Sequence, residues 1–432
     1  FGYGYAAVFP DCEYSGSTPV GATPSIIFSA NDLQFLDRRI KSALLQWVRR
    51  DKPIPLSPDD MKNIQRAISP SFNLLPILFR KIEDQEEKLF RLTNDQKMLL
   101  DFLEQTKRAC INGVAGSGKT MLAQAQAEKF ADAGMKTLLV CYNKTLAKWL
   151  NDSLSSDYSD SITVKHFHGL CYDLCRKAGI QFNPPSKNED EFWQEDAPEL
   201  LSEAIDMLNE RFDAVIVDEG QDFHSDWWMP LELINTNADE GAMYVFFDPN
   251  QNLYIDQDSS LPALGTPFNL PVNCRNTQLI ADLCSNIIGK DIPTKTDSPI
   301  GDAPEFIQLD NSYEVQKRVE RYVHEWVNQG KLKPNQVAIL CPYNLSNSSL
   351  SSVNKIKGIE ITDDIERWKT CKGILFSTVK GFKGLEADAV LLIDVPQVNE
   401  ASLFKQADYY VACSRAKHML IVLSSVGDGS KN

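Results

Sequence analysis

Gly113-Val114-Ala115-Gly116-Ser117-Gly118-Lys119-Thr120 fits the pattern G-x-x-x-x-G-K-[ST]. It lies between an apolar run, RACIN (108–112), and a helix-like run, TMLAQAQAEKFADAG. A strand before and a helix after is the setting in which this pattern cradles phosphate. The glycines let the backbone turn tightly with its N–H groups pointing inward, and the following helix adds the positive end of its dipole. All eight residues are therefore expected to bind a nucleoside triphosphate. Lys119 would place a point charge on the β- and γ-phosphates, and the Thr120 hydroxyl would hold Mg2+.

About a hundred residues further on stands Val215-Ile216-Val217-Asp218-Glu219-Gly220-Gln221-Asp222. A continuous apolar run that ends in paired acids reads as a buried strand delivering carboxylates to its end. Asp218 is expected to hold Mg2+ through its water shell, and Glu219 to accept a proton from an attacking water.

The same kind of short apolar run recurs along the chain. KTLLVCY (136–142), SITVKHF (161–167) and AMYVFFD (242–248) accompany the two segments above; EFIQL (305–309), QVAILCP (336–342), GILFST (373–378), DAVLLID (388–394) and MLIVLSS (419–425) follow. Runs apolar on both faces, with helical stretches between them, predict parallel strands in doubly wound α/β sheets. Their number asks for two such sheets, divided near residue 270. The expected organisation is an N-terminal α+β segment over 1–88, an ATP-binding domain over 89–270 and a second α/β domain over 271–432. In the first segment AAVFP reads as a short strand, and IIFSANDLQFLDRRIKSALLQWV as a strand followed by a helix capped by Asn31 or Asp32. PDDMKNIQRAI reads as a further helix, and KIEDQEEKLFR (81–91) as a charged helical connector.

Composition narrows the class. The chain has 432 residues, 43% hydrophobic and 24% charged, as expected of a globular protein and not of a disordered or fibrous one. No apolar run is long enough for a transmembrane helix. The first residues lack the basic start and apolar stretch of a signal peptide, and they lack an initiator Met, as a fragment or processed form would. The net charge of −15 argues against a broad basic coat for nucleic acid, though not against a local basic groove. The ten cysteines include no CxxC pair. Cys171 and Cys175, four apart on one expected helix face, read as buried thiols because no second pair completes a metal site. A reducing compartment, most simply the cytoplasm, follows.

With these residues in view, the chain resembles superfamily 1 helicases of the UvrD/Rep type over residues 92 to about 425. DEGQD after an apolar strand is similar to that family's DExQD box. Leu92-Thr93-Asn94-Asp95-Gln96 resembles its adenine-reading motif, with Gln96 as the adenine contact. Cys141-Tyr142-Asn143-Lys144 and Phe167-His168-Gly169 resemble its single-strand-contacting motifs, which implies DNA contacts by Tyr142, Asn143 and His168. Asp248-Pro249-Asn250-Gln251 resembles the motif whose Gln couples the γ-phosphate to the DNA groove. Asn273-Cys274-Arg275 and Val411-Ala412-Cys413-Ser414-Arg415-Ala416 resemble the motifs that carry γ-phosphate arginines. Thr378-Val379-Lys380-Gly381-Phe382-Lys383-Gly384-Leu385-Glu386 resembles the motif in which Thr378 would touch the DNA backbone and Glu386 the nucleotide sugar. The resemblance implies two RecA-like domains with ATP between them. Lys119, Glu219, Gln251, Arg275 and Arg415 would be catalytic, and translocation on single-stranded or partly duplex DNA would run 3′ to 5′. Residues 1–88 resemble, less specifically, the tail of a nuclease-related (NERD) domain, so a nuclease domain or subunit is an expected partner. This stretch has no D…E-x-K metal set, so nuclease activity of its own is not expected.

Three features depart from the family pattern. After Gln251 the chain reads NLYIDQDSSLP, with Tyr254 where a base-stacking Trp is usual. Lys380 stands where a His is usual. Only about a hundred residues separate Arg275 from Thr378, room for the second α/β domain and no bulky insertion. A minimal motor that unwinds duplex poorly is the expectation. The alternative is a DNA-responsive ATPase switch that controls a nuclease or partner with little movement. A small-molecule kinase would not need the ordered strand-contact motifs.

Overall fold

The computed structural model describes residues 6–10, 23–47, 78, 80–89, 100, 103, 106–185, 189–237, 240–251, 261–396 and 404–425. The chain divides into two compact units, Phe1–Leu74 and Leu75–Asn432. In the smaller unit, strand β1 (Ala7–Val8) pairs in parallel with β2 (Ile27–Phe28), and α1 (Leu36–Trp47) follows a 3-10 turn over Ala30–Phe35. The cap is Ser29, not Asn31 or Asp32. Asp32 instead accepts the Ser29 backbone N–H at 2.9 Å, the reciprocal half of a capping box. Arg39 ties the unit together by donating to the carbonyls of Pro24 and Ile27. The helix expected over PDDMKNIQRAI lies outside the described residues.

Two mainly parallel α/β sheets of the expected RecA-like kind make up the larger unit. The first contains β3 (Arg108–Gly113), β4 (Thr137–Cys141), β5 (Ile162–His166), β6 (Ala214–Asp218), β7 (Ala242–Phe247) and β8 (Phe268–Leu270). Its strand order is β5-β4-β6-β7-β3-β8, and every pairing is parallel. All residues of β4, β6 and β7 are buried, which explains why they read as unbroken apolar runs. The second sheet contains β9 (Glu305–Leu309), β10 (Val337–Cys341), β11 (Lys355–Ile356), β12 (Ile359–Thr362), β13 (Ile374–Thr378), β14 (Ala387–Val395) and β15 (Ala416–Ser425). Its order is β11-β12-β13-β10-β14-β15-β9, parallel except for the β11–β12 edge pair.

Helices α2 (Lys119–Asp132), α3 (Lys144–Ser153), α4 (Phe167–Ala178) and α5 (Ala197–Leu208) belong to the first sheet. Helices α6 (Gln278–Ile288), α7 (Ser312–Val323) and α8 (Gln406–Ser414) belong to the second. One buried apolar cluster runs across the seam, from Ile111, Leu122 and Leu146 to Val379, Phe382 and Tyr410. A side chain at Gly384 would meet the tip of Leu146 of α3, and the φ of +82° there favours glycine, so the two lobes approach closely at this point.

Residues 80–89 are helical, close to the expected connector, but they are not a free linker. Ile82 is buried in the core of the second sheet, and Leu89 is buried against Cys274. Glu86 accepts from Lys417 at 2.8 Å and pairs with His418 Nε2 at 3.0 Å, while Lys417 also meets Asp388 at 2.6 Å. Burial opposes ionisation of Glu86, but the hydrogen bond from His418 and the Lys417 ammonium outweigh it and bring Glu86 down to about 2. Among the described residues no helix is long and apolar enough to cross a membrane.

Candidate nucleotide site at the seam of two sheets

Strand β3 ends at Gly113, and the chain turns through Gly116 and Gly118, both left-handed with φ of +71° and +82°, before α2 begins at Lys119. That backbone region favours glycine, so the loop sequence is what permits the turn. A side chain at Gly116 would meet Asn276 Oδ1 at 2.2 Å and Asn273 at 2.5 Å, so the second lobe approaches the loop closely. Two hydrogen bonds join them: Cys274 donates its N–H to the Gly116 carbonyl at 2.8 Å, and the Ala115 N–H donates to Tyr410 Oη at 2.8 Å. The Lys119 ammonium is buried and donates to the carbonyls of Gly113 and Val114 at 2.7 and 3.0 Å.

The acidic box closes the floor of the site. Asp218 ends β6 fully buried, and its Oδ2 has no hydrogen-bond partner. Burial and the neighbouring Glu219 push its carboxyl up to about 7, against the opposing influence of Thr120 and Lys119. Glu219 has a positive φ of +55°, an uncommon conformation for a residue with a side chain. Burial opposes its ionisation, but Lys383, Lys119 and Arg415 outweigh that and hold it below the ordinary carboxylate range. An orphaned carboxylate oxygen beside a second acid and a Thr hydroxyl is the donor set that a hard divalent cation satisfies. Asp218 and Thr120 thus fit Mg2+.

These groups open into a cleft of about 850 Å3, its open mouth included. Gly116, Gly118, Lys119, Thr120, Glu219 and Gln251 line one wall, and Arg275, Glu386 and Arg415 line the other. Arg275 rests against Met121 and forms an ion pair with Glu386. Arg415 is buried, donating to the Val411 carbonyl and to Gln251 Oε1, both at 3.0 Å. Gln251 Nε2 in turn donates to Asp248 Oδ2 at 2.8 Å, Tyr410 Oη donates to the same carboxylate at 3.2 Å, and Lys119 Nζ lies 3.7 Å from it. The structure therefore brings Lys119, Glu219, Gln251, Arg275, Glu386 and Arg415 to one place. Gln96 lies outside the described residues, as does Tyr254.

The residues expected to touch DNA lie just beyond β4 and β5 and at the last residue of β13. Asn143 caps α3 by accepting the Thr145 N–H, and its Nδ2 donates to the carbonyls of Lys380, Gly381 and Lys383 at 3.2–3.3 Å. Its side chain thus bridges the two lobes. Thr378 Oγ1 accepts the Gly381 N–H at 3.0 Å, shaping the same loop. Tyr142 is half-buried and stacks on Trp227, with ring centroids 5.9 Å apart. His168 is half-buried among rings, and burial, with His166 and His224 nearby, lowers it to about 4.

A protein-family profile described as an AAA domain matches residues 96–257, less than half of the chain. That span holds the phosphate loop, the acidic box and Gln251, so residues 96–257 resemble a P-loop nucleotide-binding domain in sequence as well as in geometry. No curated protein matches the chain. Among solved structures, the chain is similar to the Arterivirus nonstructural protein 10 helicase in its complex with DNA, at 14% identity and a TM-score of 0.36. The match covers 73% of this chain and 60% of the Arterivirus chain, so it spans less than two thirds of that protein.

Several residues that build the cleft were given no role of their own by the sequence. Lys383 is buried and donates to both carboxylate oxygens of Asp222 at 2.7 Å and to the Gln251 carbonyl at 2.6 Å. Tyr410 and Asp248 join the loop to the opposite lobe, and Trp149 and Trp368 line the cleft. Each takes its meaning from a partner far away in the chain, which periodicity cannot show.

Proposed function

We propose that the chain is an ATP-driven superfamily 1 translocase or helicase of the UvrD-like kind, which hydrolyses Mg-ATP at the seam and moves 3′ to 5′ on single-stranded DNA. The observation that carries the reading is the cleft itself: phosphate loop and acids on one wall, Arg275 and Arg415 on the other. In this reading the Lys119 ammonium leaves the Gly113 and Val114 carbonyls for the β- and γ-phosphates. Thr120 and Asp218 would hold Mg2+, which would neutralise phosphate charge when bound. Arg275 exchanges Glu386 for the γ-phosphate, which frees Glu386 for the ribose hydroxyls. Glu219, kept ionised by its cationic neighbours, takes the proton of the attacking water, and Gln251 links that centre to Arg415. Phosphoryl transfer of this kind depends on positioning and charge neutralisation.

Hydrolysis followed by release of the γ-phosphate removes the charge that holds Arg275 and Arg415 to the first wall, so the seam loosens once per cycle. A strand held by Tyr142, Asn143 and His168 on one side and Thr378 on the other would then be gripped alternately. The division into 1–88, 89–270 and 271–432 belongs to this reading, as does a nuclease domain or subunit as partner. One observation favours the alternative of a DNA-responsive ATPase switch with little unwinding: β9 to β13 fill the interval between Arg275 and Thr378. The test is ATP turnover with and without single-stranded DNA, then strand displacement. Stimulated turnover that Lys119→Ala abolishes is expected. Turnover indifferent to DNA would defeat the motor reading, and stimulated turnover without movement would select the switch.

A further inference from the structure

Ligands of parallel α/β sheets bind outside the carboxyl ends of the strands. At that end of the first sheet, three adjacent strands deliver rings to one spot: Tyr142 after β4, Phe167 and His168 after β5, and His224 and Trp227 beyond β6. Trp193 comes from the helical segment inserted before α5. Phe167 and Trp227 are buried and stacked, with centroids 4.0 Å apart at 8°, and form a floor. Tyr142, His168, Trp193 and His224 stand half-buried around it. His168 meets Trp193 edge-on at 4.2 Å and Tyr142 at 5.4 Å. Trp193 is fixed from both ends, since its carbonyl accepts from Trp227 Nε1 at 2.7 Å and its own Nε1 donates to Glu189 at 3.3 Å.

The chemistry of this rim is flat and aromatic, with imidazoles that can both donate and accept. Exposed Lys144 follows Tyr142 by two residues, and Asn143 between them bonds the carbonyl of exposed Lys380, so both lysines lie close along the backbone to the Tyr142 edge of the cluster. Aromatic faces with cations alongside match a base and the phosphate next to it. We propose that Trp193, with Tyr142, His168 and His224, forms a pocket that takes one unstacked base of a single-stranded nucleic acid. The inference rests on the reading above and adds to it a residue and a defined base site: Trp193 lies in none of the segments that resemble helicase motifs.

The full chain would be titrated with a short deoxyribo-oligonucleotide, and with its ribo counterpart, each carrying 2-aminopurine at successive positions. Quenching at one position is expected, together with a five- to hundredfold loss of affinity in Trp193→Ala, roughly the worth of one stacked base. Trp193→Phe should retain most of the affinity. An abasic nucleotide at the quenched position should weaken binding to the unsubstituted chain and leave Trp193→Ala unaffected. ATP turnover without polynucleotide should be unchanged in both variants, which also reports an intact fold. Preference for the ribo strand would name RNA as the source of the base and keep the pocket. Unchanged affinity in Trp193→Ala, or no position sensitive to base removal, would overturn the pocket while the motor reading stands. A chain that binds neither strand would overturn both.

Discussion

Lys383 and Asp222 form a buried ion pair whose perturbation has a calculable sign. Both side chains are 2% exposed, and the ammonium sits 2.7 Å from the carboxylate. At an effective dielectric of about 20, that separation corresponds to an attraction of ~6 kcal/mol. Desolvation of several kcal/mol per ion offsets most of it, so the intact pair contributes little net stability. Removing one partner is different. Lys383→Met would strand a buried carboxylate and leave the Gln251 carbonyl without its donor, at a cost of about 3–5 kcal/mol. Lys383→Met/Asp222→Leu buries no charge and should recover at least about 2 kcal/mol of that loss. Burial already pushes Asp222 up to about 7, so the stranded acid can take a proton. The Lys383→Met deficit should therefore shrink from pH 8 to pH 6. Urea unfolding of each variant, followed by Trp fluorescence and circular dichroism at both pH values, measures this. A single variant as stable as the parent, or a double variant whose loss equals the sum of the two single losses, would refute the reasoning.

Two further outcomes follow from the cleft. Gly116→Ala combines a left-handed φ with a contact of 2.2 Å to Asn276, so nucleotide affinity should fall at least tenfold, read by titration with a fluorescent ATP analogue; unchanged affinity would mean the loop is not held as described. Mg2+ binding should depend on pH through Asp218. Its raised value of about 7 means that below that pH the folded chain holds a proton which the ion must displace. Apparent Mg2+ affinity, measured by calorimetry, should fall about tenfold per pH unit below 7 and level off above it, whereas a flat profile would place the ion elsewhere.

Much of this was legible in the residues. The buried strands β3, β4, β6, β7, β10 and β13 lie within a residue or two of the apolar runs that announced them, because a strand covered on both faces has no polar position to disguise it. β15 begins at Ala416, three residues before the expected Met419. Lys417 and His418 hid that start, being polar strand residues that Glu86 and Asp388 satisfy. β8 and the β11–β12 edge pair were missed because they are short and partly exposed. In the site, Lys119 and Glu219 were legible because their local patterns are tied to phosphate chemistry, whereas Arg275 entered only through the family resemblance. Lys383, Tyr410 and Asn276 were not, since each is defined by a contact across the seam. Asn143 carried a strand-contact pattern, but its donation to three carbonyls of the opposite lobe had no counterpart in the sequence.

The central claim is that guanidinium groups of the second lobe act on a triphosphate held by the first. Single-turnover hydrolysis by Arg275→Ala and Arg415→Ala, with nucleotide affinity measured on the same samples, tests it most directly. Each variant should hydrolyse ATP about a thousandfold more slowly while binding it within about tenfold of the parent. Parental hydrolysis rates in both variants would contradict the account.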